Sequence, residues 1–150
     1  MEKVKEFKQF GAYGLILEDN QILLIKKVSG PYDGKLDLPG GTIEFGETPE
    51  VALKRELLEE VGIEIKDYDL YDANSVTFDW EYNNMLIKVH HMGIFYLINN
   101  YANEIKKDIE IDEQNDDSLG AEFYDIDKLN KNELSKIVIL MLEKLGYRLK

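Results

Sequence analysis

The sequence predicts a mixed α/β (α+β) fold with a sheet held between helices, and three observations predict it. A capped, acidic helix occupies about residues 48–61, strand-like apolar runs flank it on both sides, and an amphipathic helix closes the chain between Lys128 and Tyr147. No linker, repeat or low-complexity tract interrupts this order, so residues 1–150 are expected to form a single domain.

The first apolar runs, FKQFGAYGLILE and QILLIKK, lie between Phe7 and Lys27 and meet at the turn pair Asp19-Asn20, which predicts a hairpin. Tyr13 and Phe10 are read as core, with contact to a ligand base as the alternative, and Lys26 and Lys27 as solvated strand ends, with contact to phosphates as the alternative. Residues 28–37 carry Gly30, Pro31 and Gly34 and form a loop, on which Tyr32 is a candidate lid or stacking residue. Leu36 and Leu38 then lead into Pro39-Gly40-Gly41, where glycine lets the backbone approach whatever the next helix binds.

That helix is specified locally. Thr48 suits the N-cap, Pro49 the first helical position, Glu50 the positive end, and Gly62 the C-terminal stop. At roughly 100° per residue, Glu56, Glu59 and Glu60 share an arc of about 100°, while Leu53, Leu57 and Val61 line an adjacent side. A run of Glu on a helix is ordinarily a solvated face with i,i+4 partners. Three carboxylates this close repel one another, however, and no packing requirement asks for the cluster. A bound cation explains the spacing, and hard oxygen ligands favour magnesium or manganese over zinc.

Beyond the helix, Ile63 to Tyr71 alternates as a strand, followed by a strand-like stretch around Val76 to Trp80. Trp80 is read as half-buried packing, with base stacking as the alternative. Asn83-Asn84 marks a hairpin turn into MLIKVHHMGIFYLI, the most apolar run of the chain. His90 and His91 are adjacent in that run, so they point to opposite faces and cannot share one ion. Residues 99–120 are dense in acids and read as a surface loop before the strand AEFYDI.

Composition narrows the function. The net charge of −12 opposes binding to a phosphate backbone, and no basic stripe offsets it, so long nucleic acid is not an expected partner. An acidic enzyme acting on a small polyphosphate needs divalent ions to bridge carboxylate and phosphate. Without cysteine, neither a disulfide, a thiolate metal site nor a thiol nucleophile is available. No signal-peptide core or membrane-length apolar run is seen, which predicts a cytoplasmic protein without membrane association.

Gly41, Glu47, Arg55-Glu56-Leu57, Glu59-Glu60 and Gly62-Ile63 match, position by position, a gapped signature of nine residues. On these residues the chain resembles the Nudix hydrolases, and the wording GETPE, REL and EEVGI is similar to the MutT branch. The resemblance implies an α/β/α sandwich around a central mixed β-sheet. It also implies Mg2+-dependent hydrolysis of the pyrophosphate linkage in a nucleoside diphosphate derivative, with Mn2+ as the substitute ion. A nucleoside triphosphate of the 8-oxo-dGTP type is the first substrate to try; ADP-ribose, a nucleotide sugar and non-catalytic nucleotide sensing are the alternatives. The sensing relatives usually lose box acids that this chain keeps, and a Nudix-fold isomerase would want a cysteine that is absent. The implied metal ligands are Glu56, Glu59, Glu60 and the carbonyl of Gly40, with Glu47 and Arg55 orienting the acids. Glu56 and Asp117 compete for the role of base, with Asp116 and Glu113 behind Asp117. A homodimer is left open, because dimers are common in the family and no stripe here marks an interface.

Overall fold

The computed structural model describes residues 4–106 and 118–150. Strands β1 (Val4–Leu15), β5 (Gly40–Thr42), β6 (Glu64–Tyr82) and β7 (Met85–Ala102) form one sheet in the order β5-β1-β7-β6. Strands β2 (Leu17–Glu18), β3 (Gln21–Lys27) and β4 (Leu36–Asp37) form a second sheet, in which β8 (Ser118–Asp125) also pairs with β3. β1 runs parallel to β7 and the other strand pairings among the described residues are antiparallel, so the arrangement is mixed. Helix α1 (Pro49–Val61) covers one side and α2 (Lys136–Lys144) the other.

The core follows from strand alternation. Ile22 and Leu24 of β3 join the α2 side with Tyr13, Leu15, Phe95, Ile137 and Met141, whereas Leu23 and Ile25 join the α1 side with Ala12, Ile16, Leu53 and Leu57. A strand buried on both faces carries an unbroken apolar run, which is why QILLIKK shows no polar alternation.

The structure corrects three readings. The turn at Asp19-Asn20 forms, with Asp19 at φ 54° and Leu17 opposite Ile22, but the hairpin is short. β1 instead continues along β7 in the other sheet, from Val4 opposite Leu86 to Leu15 opposite Leu97. Alternation tells a strand which faces are apolar and not which neighbour covers its edge, so the partner was not readable. The two stretches after α1 are one strand, β6, whose register shifts near Ile65, Asp67 and Leu70 let it bend. The last helix is also shorter than the periodicity suggests. Two 3-10 turns, Ile126–Lys128 and Lys131–Glu133, precede it, and Ser135 caps it by accepting from Val138 N at 3.4 Å. The Asn83-Asn84 turn forms with φ 52° and 58°, left-handed values that asparagine tolerates.

Candidate active site

The capping residues place α1. Thr48 Oγ1 accepts from Val51 N at 3.2 Å, and Gly62, at φ 85°, donates to the carbonyls of Leu57 and Leu58 at 3.0 and 3.1 Å. With Leu53, Leu57 and Val61 anchored in the core, rotation about the helix axis is fixed and the acidic arc is turned toward the Gly40-Gly41 turn.

Two of the helix carboxylates meet that turn. Glu60 is 5% exposed and its Oε1 accepts the Gly40 N–H at 2.9 Å. Gly40 has φ 134°, and a Cβ there would collide with the Ala12 carbonyl, so only glycine lets the strand lie so close. The Glu56 carboxylate lies over Gly41, where a Cβ would stand 2.7 Å from its carbon and from Oε2. The turn is thus a cradle of backbone holding two acids.

Arg55 organises the rest. Its Nε donates to Glu47 Oε2 at 2.7 Å and its Nη2 to Glu47 Oε1 at 2.9 Å, a bidentate pair. Nη2 also donates to the Thr42 carbonyl at 3.0 Å, and Nη1 reaches Glu56 Oε1 at 2.8 Å and Glu59 Oε2 at 3.4 Å. The Glu44 N–H adds a bond to Glu47 Oε1 at 2.9 Å. Hydrogen bonds from Arg55, then that amide, hold the Glu47 carboxyl down to about 2, and the bonds to Glu47 raise the guanidinium in turn. Glu59, half exposed and reached by Arg55 Nη1 at 3.4 Å, is the outermost of the three acids.

Glu47, Arg55, Glu56, Glu59, Glu60 and Gly40 therefore come together at one turn. Asp117, Asp116 and Glu113 lie outside the described residues. Glu44 and the Thr42 carbonyl were missed, since a bond made by a backbone group leaves no mark on residue type. Among the described residues no three acidic or histidine side chains converge as metal ligands in this structure, because Arg55 draws Glu56 and Glu59 while Glu60 is committed to Gly40. The donor set itself, carboxylates packed against a glycine turn, suits a hard divalent cation.

Tyr32 is corrected from lid to core. It is buried, stacks on Phe78 at 5.2 Å, and its hydroxyl bonds His91 Nδ1 at 2.8 Å, while Tyr13 Oη meets His91 Nε2 at 2.5 Å. Burial, with Lys27 adding to it, lowers His91 to about 4, so a neutral ring bridges two tyrosines. Tyr13 is core as expected, but Phe10, read as core, is corrected to an exposed residue, and Trp80 stacks on Tyr82 at 4.9 Å.

The NUDIX domain profile matches residues 8–144, nearly the whole chain. The chain belongs to the Nudix hydrolase family. An ADP-ribose pyrophosphatase of Methanocaldococcus jannaschii is 32% identical over 137 residues, covering 86% of this Nudix chain and 73% of that protein. An 8-oxo-dGTP diphosphatase of Haemophilus influenzae is 39% identical over 95 residues, 62% of this chain and 64% of that one, so slightly under two thirds of the second relative is matched. The crystal structure of a MutT NUDIX hydrolase from Burkholderia pseudomallei superposes with a TM-score of 0.72 at 26% identity, covering 93% of this chain and 99% of that chain. No helix among the described residues of this Nudix hydrolase is long and apolar enough to cross a membrane.

Proposed function

We propose that this Nudix hydrolase, read as one cytoplasmic domain over residues 1–150, cleaves the pyrophosphate linkage of a nucleoside diphosphate derivative. An oxidised purine nucleoside triphosphate such as 8-oxo-dGTP is the first substrate. The observation that carries the reading is the Arg55 clamp, which holds Glu47 bidentately and touches Glu56 and Glu59 beside the Gly40-Gly41 turn. Such a constellation is costly unless something is held there, since it gathers acids in a chain already at −12.

Glu56, Glu59, Glu60 and the Gly40 carbonyl would hold magnesium, with manganese as its substitute. The ion would supply Lewis-acid neutralisation of the phosphate charge during in-line attack by water. Arg55 fixes the directions in which Glu47 and Glu56 present their oxygens, and Glu60 pins the turn through the Gly40 amide. The proton of the attacking water goes to Glu56 or to Asp117.

A second substrate reading, ADP-ribose, is favoured by the archaeal relative, whose match spans 86% of the chain. Phosphate release from a panel of nucleoside triphosphates, nucleotide sugars and ADP-ribose, with and without magnesium, tests both readings beside Glu59→Gln. Turnover that requires magnesium and collapses in Glu59→Gln is expected. Equal release by the two proteins would refute the site, and binding without turnover would indicate a sensor.

A further inference from the structure

The Gly40-Gly41 turn is held from two sides, and only one of them is acidic. On the α1 side Glu60 Oε1 accepts the Gly40 N–H at 2.9 Å and the Glu56 carboxylate lies over Gly41. On the α2 side the turn rests on Tyr13, which is buried in the core there. Tyr13 stands opposite Gly40 in the β1-β5 pairing, and the next residue, Gly14, donates its N–H to the Pro39 carbonyl at 2.9 Å. A Cβ on Gly40 would come within 2.9 Å of Tyr13 Cδ1, so the ring edge stands where a side chain of the turn would be.

The Tyr13 ring is laid down along its own strand. Its far end covers Gly11, where a Cβ would stand 2.6 Å from Cζ and would run into the hydroxyl, and the Gly41 carbonyl borders the same spot at 2.8 Å. On β7 Phe95 does the same over Gly93, where a Cβ would stand 2.5 Å from its Cζ. Gly11 faces Gly93 and Tyr13 faces Phe95 in the β1-β7 register, and the two rings stack at 5.7 Å. Glycine weakens a strand interior and marks a place where something approaches closely. Here the two glycines clear the floor for two rings, and the first ring extends from Gly40 to the border of the Gly41 carbonyl.

His91 sets the direction of that ring. Tyr13 Oη meets His91 Nε2 at 2.5 Å, Tyr32 Oη meets Nδ1 at 2.8 Å, and all three side chains are buried. An apolar trio of the same volume would fill this space without the cost of desolvating polar groups. What the hydrogen bonds add is direction, which apolar contact lacks. The imidazole favours the one angle of the Tyr13 ring that backs the turn.

We propose that His91 and Tyr13 are positioning residues for the hydrolysis. His91 fixes the Tyr13 ring, the ring backs Gly40-Gly41, and the turn keeps the Gly40 carbonyl and the Glu56 and Glu60 carboxylates where they would hold the ion. The inference rests on the hydrolase reading above and adds to it two residues outside the acid cluster.

Two measurements on the full chain test it. Amide hydrogen exchange needs neither metal nor substrate, and compares Gly40 N–H, bonded to Glu60, with Leu23 N–H, bonded to the Ile16 carbonyl in the core and so a reporter of global opening. Tyr13→Phe removes the hydroxyl and keeps the ring, and is expected to speed exchange at Gly40 about tenfold beyond any change at Leu23. Tyr32→Phe removes the other hydroxyl of the bridge and is expected to move both amides together. Steady-state kinetics with magnesium and the best nucleotide substrate then read the consequence. Tyr13→Phe is expected to lose about tenfold in kcat at little-changed KM, and Tyr32→Phe about twofold or less. His91→Gln places an amide where Nε2 stands and is expected to keep most of the rate, whereas His91→Asn reaches only the Nδ1 position and is expected to behave as Tyr13→Phe. Gly40 exchange that follows Leu23 in Tyr13→Phe, equal loss of kcat in the two tyrosine variants, or His91→Asn as active as His91→Gln would each overturn the proposal. A wild-type protein inactive on every substrate with magnesium would sink the hydrolase reading and this proposal with it, whereas an active wild type beside an unaffected Tyr13→Phe would sink this proposal alone. Urea unfolding shows that each variant is folded at the assay temperature, and the two His91 variants carry the comparison if Tyr13→Phe is not.

Discussion

Substituting Gly41 by alanine tests the acid cradle more cleanly than removing an acid. Gly41 is outside the left-handed region, so alanine is not strained by the backbone there. The added Cβ would stand 2.7 Å from the Glu56 carboxyl carbon and Oε2, about 0.7 Å short of the 3.4 Å at which ordinary contact begins. The carboxylate must therefore move by about that distance, pulling against the 2.8 Å bond from Arg55. A displacement on the order of 1 Å at a catalytic group costs about a hundredfold in rate, near 3 kcal/mol of barrier. We expect Gly41→Ala to lose about that much kcat/KM with magnesium and the best nucleotide substrate, while its urea midpoint shifts little. Glu56→Asp withdraws the carboxylate toward the helix and relieves the clash, so the double variant should be more active than the product of the single losses implies. Wild-type kcat/KM in Gly41→Ala, with a structure showing Glu56 displaced, would refute the claim that the position of this carboxylate matters.

Gly40→Ala is a contrast: at φ 134° and with its Cβ driven into the Ala12 carbonyl, it should destabilise the fold by about 2–4 kcal/mol in chemical unfolding. Arg55→Lys keeps the charge but loses the bidentate hold on Glu47, and is expected to raise the magnesium concentration for half-maximal activity, or lower the rate, about 10- to 100-fold. An unchanged magnesium titration and rate would remove Arg55 from the site. His91 gives a pH signature. Its folded value of about 4 lies below the ordinary 6.5, so the unfolded chain takes up the proton first. Stability is then unaffected by this group above pH 6.5 and is lost as pH falls from there toward 4, by up to about 1.4 kcal/mol per unit. His91→Phe should flatten the pH dependence of the unfolding free energy between pH 6.5 and 5, and identical slopes in the two proteins would contradict a buried neutral ring.

Local features were legible in the sequence because short-range sterics and capping decide them. Thr48, Pro49 and Gly62 bound α1 within a residue of its observed limits, and Asn83-Asn84 turns the β6-β7 hairpin, with no help from the rest of the chain. The spacing of Arg55, Glu56, Glu59 and Glu60 put their side chains on one flank of α1, because a helix translates sequence interval into angle. Contacts closed over long stretches of chain were not legible. Glu59 and Glu60 are the same residue type side by side, yet only Glu60 is sealed against Gly40, since the turn arrives from twenty residues away. His91 meets Tyr13 across 78 residues and Tyr32 across 59, so no interval in the sequence announces the bridge. Sheet membership is the same case: β1 and β3 each carry a run of buried residues, and residue type alone does not say that β1 runs beside β7 while β3 joins the other sheet.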